Sequence, residues 1–190
     1  MPERPRLEHL VAVPTGSPGA PATDVEGWDL DGRARTLRVA SPGRWTLLVF
    51  LGARCDGCRP FWSVAGAPTA VGLSARDEVV VVTRGPEEED PTELAGLVEL
   101  AGLAELAGPP ELAAPPGAPE RSRGIAGALV MSDAAWGAYR VHGPPFFVLL
   151  DGVKVVVEGV LWSLEQLAAD VARARRRGPG EAGRRRSARR

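Results

Sequence analysis

Four runs of apolar residues organise the chain. Trp45-Thr46-Leu47-Leu48-Val49-Phe50-Leu51 is nearly unbroken, which predicts a central strand covered on both faces rather than an alternating, half-solvated one. Glu78-Val79-Val80-Val81-Val82-Thr83 predicts a second buried strand, and Ala128-Leu129-Val130-Met131 a shorter third. After Pro144-Pro145, Phe146 to Leu150 is a fourth; Asp151-Gly152 marks a hairpin turn and Val153 to Val157 its antiparallel return. Upstream, the turn signal Asp29-Leu30-Asp31-Gly32 precedes a short strand, Thr36 to Val39.

Helical periodicity is clearest near the end. Ser163-Leu164-Glu165-Gln166 is a capping box, and Leu164, Leu167, Ala168 and Val171 fall at i, i+3, i+4 and i+7. Ser132 is a plausible N-cap for a short helix carrying Trp136 and Tyr139. Between Glu93 and Pro116 four hexads repeat, ELAGLV, ELAGLA, ELAGPP and ELAAPP. Leucines three apart wrap around a helix instead of forming a stripe, and Gly96 and Gly102 weaken it further. The segment is expected to be a marginal helix giving way to a Pro-rich loop, an insertion of about residues 86–124 without catalytic content.

The ends lack such patterning. Residues 1–26 are rich in Pro and Gly and predict a flexible lead-in, with order beginning near Trp28. Residues 172–190 carry nine Arg and one Glu, a local charge of +8 that leaves −9 on the remainder of a chain whose net charge is −1. The expectation is one acidic domain, 27–174, with a basic disordered tail, 175–190; 190 residues with 44% hydrophobic content suit a single core. The tail is read as a solvated end, so no nucleic-acid partner is predicted. Glu3, Arg4, Arg6 and Glu8 break up the apolar run that a signal peptide needs. No stretch approaches the roughly 18 apolar residues of a membrane span. A monomer in the cytoplasm is expected.

The chemistry concentrates in two cysteines, both within Cys55-Asp56-Gly57-Cys58. A bridge between them closes a very small loop and removes little unfolded-state entropy, so stabilisation explains it poorly. At a strand-to-helix junction, one turn of helix brings the sulfurs together, and the N-terminal end of the helix dipole favours a thiolate at the first. Cys55 is therefore the expected nucleophile and Cys58 the resolving thiol. Arg54 and Arg59 favour that thiolate, whereas Asp56 opposes it. A zinc site lacks ligands, since only His9 and His142 add nitrogen donors, and haem attachment fails because Arg59 stands where a histidine is required. No metal or cofactor is expected.

With these residues in place, the chain resembles the thioredoxin superfamily, and most of all its TlpA-like branch of disulfide reductases. The resemblance spans Trp28 to Ala174. It is carried by DLDGR at Asp29 to Arg33, LLVFLGARCDGC at Leu47 to Cys58, and GPPFFVLLDG at Gly143 to Gly152. It implies an α/β thioredoxin-like fold, a central mixed sheet flanked by helices, with the insertion placed before a cis-proline hairpin. Pro145 is the position matching the family's cis-proline, opposite the cysteine pair, where the backbone can pair with an extended substrate. The implied activity is reduction of disulfide-containing proteins, reset by an upstream reductant. Two departures stand out: Arg54 replaces a frequent aromatic, and Val49 replaces a buried carboxylate, leaving proton handling unassigned. A peroxidase reading is weakened by Gly52, where a threonine is expected. A non-catalytic binding or chaperone-like module with the same fold is the alternative.

Overall fold

A computed structural model describes residues 18–74, 76–101 and 129–177. These residues form seven strands: β1 (Val25–Trp28), β2 (Ala34–Leu37), β3 (Trp45–Phe50), β4 (Glu78–Thr83), β5 (Leu129–Met131), β6 (Phe146–Asp151) and β7 (Lys154–Val160). They make one mixed sheet in the order β2-β1-β5-β4-β3-β6-β7. β3 is parallel to β4 and antiparallel to β6, so it is a central strand as its unbroken apolar run predicts. Among the described residues two 3₁₀ helices, η1 (Asp56–Val64) and η2 (Pro68–Val71), and three α-helices, α1 (Pro91–Leu100), α2 (Asp133–Ala138) and α3 (Leu164–Arg177), cover it.

The strand period of two divides the core. Leu47 and Val49 of β3, Val79 and Val81 of β4, and Phe147 and Leu149 of β6 pack on one face with residues of η1, η2, α1 and α3. Their neighbours Leu48, Phe50, Val80, Val82, Val148 and Leu150 pack on the other with Ala135, Trp136 and Tyr139. On the first face α3 contributes Leu167, Val171 and Ala174. Its start follows the sequence signal closely: Gln166 N–H donates to Ser163 Oγ at 3.1 Å, and the Gln166 side-chain carbonyl accepts from Trp162 N–H at 3.1 Å. On the second face Ser132 caps α2, its Oγ accepting from Ala135 N–H at 3.0 Å.

Several boundaries differ from expectation. Order begins well before Trp28: β1 starts at Val25, which is fully buried, and the preceding residues lie against the edge of β7. There Val155 N–H donates to Ala20 O at 2.8 Å and Ala22 N–H to Val153 O at 2.7 Å. Proline is compatible with extended chain along a sheet edge, so a Pro-rich composition did not prevent pairing. Tyr139 OH closes the connection by donating to Thr23 O at 2.5 Å. β2 runs Ala34–Leu37 rather than Thr36 to Val39, because Gly32, at φ +74, completes the Asp29 turn early. α3 continues to Arg177, three residues beyond the expected domain end. Asp90 caps α1, accepting from Thr92 N–H at 2.8 Å, with Pro91 in the first turn. These signals make the first hexad a regular helix, and Leu94 and Val98 are core residues. Residues 102–116 of the hexad segment, and the tail beyond Arg177, lie outside the described residues.

Candidate functional site

β3 delivers the chain to its carboxyl end, where Leu51 N–H still pairs with Val82 O at 3.1 Å before the backbone turns through Gly52, Ala53 and Arg54 into Cys55. Cys55 stands at the N-cap of η1, in extended conformation, and is disulfide-bonded to Cys58 with a Cα–Cα separation of 5.2 Å. The structure is therefore that of the oxidised form. Cys58 N–H donates to Cys55 O at 2.9 Å, which sets the turn that joins the two sulfurs. The helix that follows is 3₁₀ rather than α. Pro60 sits inside it, and in an α-helical ladder its ring would clash with the carbonyl of residue 56, which disfavours that ladder here.

Burial separates the two cysteines. Cys58 has 0% exposure and belongs to the core cluster of η1 and α3, while Cys55 is only partly buried. Cys55 borders a cavity of about 280 Å³ that Gly52, Arg54, Glu89, His142 and Pro144 help to line. The Pro144–Pro145 peptide bond is cis. The place a Cβ would occupy on Gly57 lies 3.7 Å from Pro145 Cδ, and the one on Gly52 lies 3.7 Å from Pro144 Cγ. Pro145 thus faces the cysteine segment, and its carbonyl accepts from Leu161 N–H at 3.0 Å. Cys55, Cys58 and Pro145 are brought together; His142 is exposed on the rim of the same cavity.

The surrounding charges are largely paired off. Arg54 donates to both Glu93 carboxylate oxygens at 3.1 Å, tying the cysteine loop to α1, and Arg59 lies 4.0 Å from Asp56. The hexad segment thus touches the site through its first residue. Val49, at the position where the resemblance implies a buried carboxylate, packs in the apolar core. The carboxylate comes instead from the loop between β4 and α1. Glu89 accepts from Ala53 N–H at 3.2 and 3.3 Å, and its Oε1 lies 3.0 Å from the position a Gly52 Cβ would take. A Cβ at residue 52 would require the Glu89 carboxylate to give by a few tenths of an ångström. Burial pushes the Glu89 carboxyl above its ordinary value against the opposing pull of Ala53 N–H and Arg54. Sequence reasoning missed Glu89 because Glu87-Glu88-Glu89-Asp90 looks like a solvated acidic run; the cap at Asp90 is the one local signal there. Among the described residues no three of His, Cys, Asp or Glu cluster as a metal site, and no helix is long and apolar enough to cross a membrane.

No protein-family model matches the sequence, and no curated protein matches it. Solved structures do. The chain is similar to a thiol:disulfide interchange protein of the thioredoxin family from Chlorobium tepidum, with a TM-score of 0.55 and 14% identity over 84% of this chain and 98% of that one. It is similar to StoA from Bacillus subtilis, with a TM-score of 0.51 and 15% identity over 80% and 98%. A secreted Mycobacterium tuberculosis disulfide oxidoreductase homologous to Escherichia coli DsbE gives a TM-score of 0.51 and 16% identity over 78% and 94%. The mixed sheet, its flanking helices and these likenesses together establish a thioredoxin-like fold.

Proposed function

We propose that the protein is a thiol-disulfide oxidoreductase that reduces disulfides in polypeptide substrates through Cys55 and Cys58. The observation that carries this reading is the asymmetry of the pair: a reachable sulfur at a helix start, bonded to a sealed one, beside a cavity lined by Pro144 and with Pro145 against the cysteine loop. In the reduced protein the Cys55 thiolate attacks one sulfur of a substrate disulfide, forming a mixed disulfide and releasing the other as a thiolate, which takes up a proton. Cys58 then loses its proton and attacks Cys55 Sγ, so the Cys55–Cys58 bond forms and the second substrate thiol leaves. Two electrons have passed to the substrate, and an external dithiol returns them. Pro145 and the backbone around it form the wall against which an extended substrate lies.

Glu89 is assigned the proton. Its carboxylate borders the same cavity as Cys55, and burial raises its affinity for a proton, which suits it to proton handling at the disulfide.

Insulin reduction by the pre-reduced protein tests the reading. Catalysis well above free dithiol, lost in Cys55→Ser, is expected, while Cys58→Ser accumulates a mixed disulfide visible on a non-reducing gel. No rate above free dithiol, with Cys55 open to alkylation, overturns it.

A further inference from the structure

A second cavity, of about 370 Å³, adjoins the one over Cys55. Arg84, Trp136 and His142 line both, so the two are compartments of one groove that leads away from the disulfide. The far compartment adds Asp133 and Arg140. Three features there are unspent. Trp136 is 2% exposed, and its indole N–H has no hydrogen-bond partner. Arg140 is exposed and makes no ion pair among the described residues. Its φ is +53, a left-handed conformation that glycine or asparagine adopts more readily.

The local hydrogen bonds explain that conformation and sharpen the question. Arg140 N–H donates to Gly137 O at 3.1 Å and Val141 N–H to Trp136 O at 2.9 Å, a Schellman closure of α2 in which Arg140 occupies the glycine position. The closure needs a left-handed backbone and does not need a guanidinium. The other cation of the groove is already engaged: Arg84 lies 3.8 Å from Glu88 and 3.4 Å from Asp133, and its guanidinium stacks 4.3 Å over the Trp136 ring. With Glu88 and Asp133 held by Arg84, and Glu89 held at Ala53, the uncommitted charge facing the groove is Arg140 with His142 beside it.

Resting on the redox reading above, we propose that the far compartment is a subsite for an acidic side chain of the polypeptide substrate, carried a few residues from the reacting cysteine and held by Arg140. The Cys55 compartment offers an acidic residue no uncommitted cation, since Arg54 is held by Glu93 and Arg84 by Glu88 and Asp133, which makes the preference one of spacing as well as charge.

The test uses synthetic peptides activated as mixed disulfides with 2-thiopyridine, carrying glutamate or glutamine at successive distances from cysteine, and the full-length pre-reduced protein. At one spacing and low ionic strength, kcat/KM is expected to favour glutamate by about 5- to 10-fold. Arg140→Gly, which relaxes the left-handed backbone and so keeps the fold, abolishes that preference and leaves the glutamine peptides unchanged. Arg140→Lys restores part of it, and Arg140→Glu turns it toward lysine-bearing peptides. Equal rates for glutamate and glutamine at every spacing, or a preference that survives Arg140→Gly, overturn the subsite. Binding of cysteine-free peptides to the oxidised protein, followed by the Trp136 indole N–H resonance, reads the subsite without turnover. Arg140-dependent binding with no turnover of any peptide refutes the redox reading and keeps the subsite; turnover without glutamate preference does the reverse. Oxidised glutathione is the remaining arm: Arg140-dependent binding of it, with no discrimination among peptides, overturns the polypeptide source.

Discussion

The two faces of the sheet are built from alternate residues of the same strands, yet one is closed and the other leaves a groove. On the first face η1, η2, α1 and α3 meet the sheet, and Cys58 is sealed within that packing. On the second, the described cover is chiefly the six residues of α2, whose one large fully buried side chain is Trp136, edge-on to Phe50 with ring centroids 5.5 Å apart. A thick cover positions a sulfur that must be reached only by its neighbour. A thin one leaves space beside the reachable sulfur, and it is there that Arg84, Arg140 and the unpartnered indole N–H accumulate. The difference in exposure between Cys55 and Cys58 is in this sense tied to how unequally the two faces are covered.

Adjacent residues on opposite faces put that difference to its strongest test. Leu51 and Phe50 both have 0% exposure, one packed with Cys58 and the other with Trp136. Phe50→Ala is expected to cost about 3–5 kcal/mol and Leu51→Ala about 2–5 kcal/mol in chemical denaturation. The effect on chemistry should be opposite in rank. In the reduced protein, Leu51→Ala opens the face that seals Cys58 and speeds its alkylation by a maleimide, whereas Phe50→Ala leaves that rate near wild type. Equal acceleration by both would mean that the two faces loosen together and that Cys58 is protected by global stability alone.

The closed face was also the legible one. Strands buried on both sides lose their alternation and survive as long apolar runs, so β3, β4 and β6 stood out, and the α3 box and stripe are local features. The groove side was harder to foresee for reasons that are physical. Residues 19–22 pair with a β7 edge more than 130 positions away, which no local composition encodes. The 3₁₀ form of η1 fits Pro60, whose ring was visible but whose structural outcome depends on the packing of Phe61 and Trp62 beneath it. Glu89 and Arg140 acquire meaning only from what faces them, and an acidic run or a lone arginine looks the same in the sequence whether it borders solvent or a cavity.

A smaller effect distinguishes how the closed face is pinned at its rim. Asp77, with a side chain only 6% exposed, accepts from Arg175 of α3 at 2.6 Å and from Ser74 N–H at 2.7 Å, and the Arg175 guanidinium also lies 5.6 Å from the Trp45 ring centre. Burial pushes the Asp77 carboxyl up, but the Ser74 and Arg175 hydrogen bonds outweigh it and hold it below its ordinary value of 3.8. A depressed carboxyl contributes stability that is complete above its unfolded value and is lost as pH falls through the folded one. Asp77→Asn is therefore expected to lower stability at neutral pH by on the order of 1 kcal/mol. The difference from wild type should shrink below about pH 4, as followed by thermal unfolding across acid pH. A gap independent of pH would assign the loss to packing instead.

The smallest expected change in stability lies where the two faces meet, at Glu89, and there the sign reverses. Its carboxyl is raised, chiefly by burial, so the folded protein keeps the proton after the unfolded chain has released it. Stability is then lost as pH climbs from the ordinary value of 4.5 through the raised one, the opposite direction to Asp77. Glu89→Gln removes the charge and keeps an oxygen for Ala53 N–H, so its stability should be flat across that window and within about 1 kcal/mol of wild type at neutral pH. If Glu89 also takes the proton of Cys58, the same variant slows resolution of the mixed disulfide and removes the corresponding inflection from the pH–rate profile, while attack by Cys55 keeps its rate. A variant that flattens the stability curve but leaves the profile of resolution intact would make Glu89 a buried charge that supports the Gly52–Ala53 turn, and the proton would have to leave by another route.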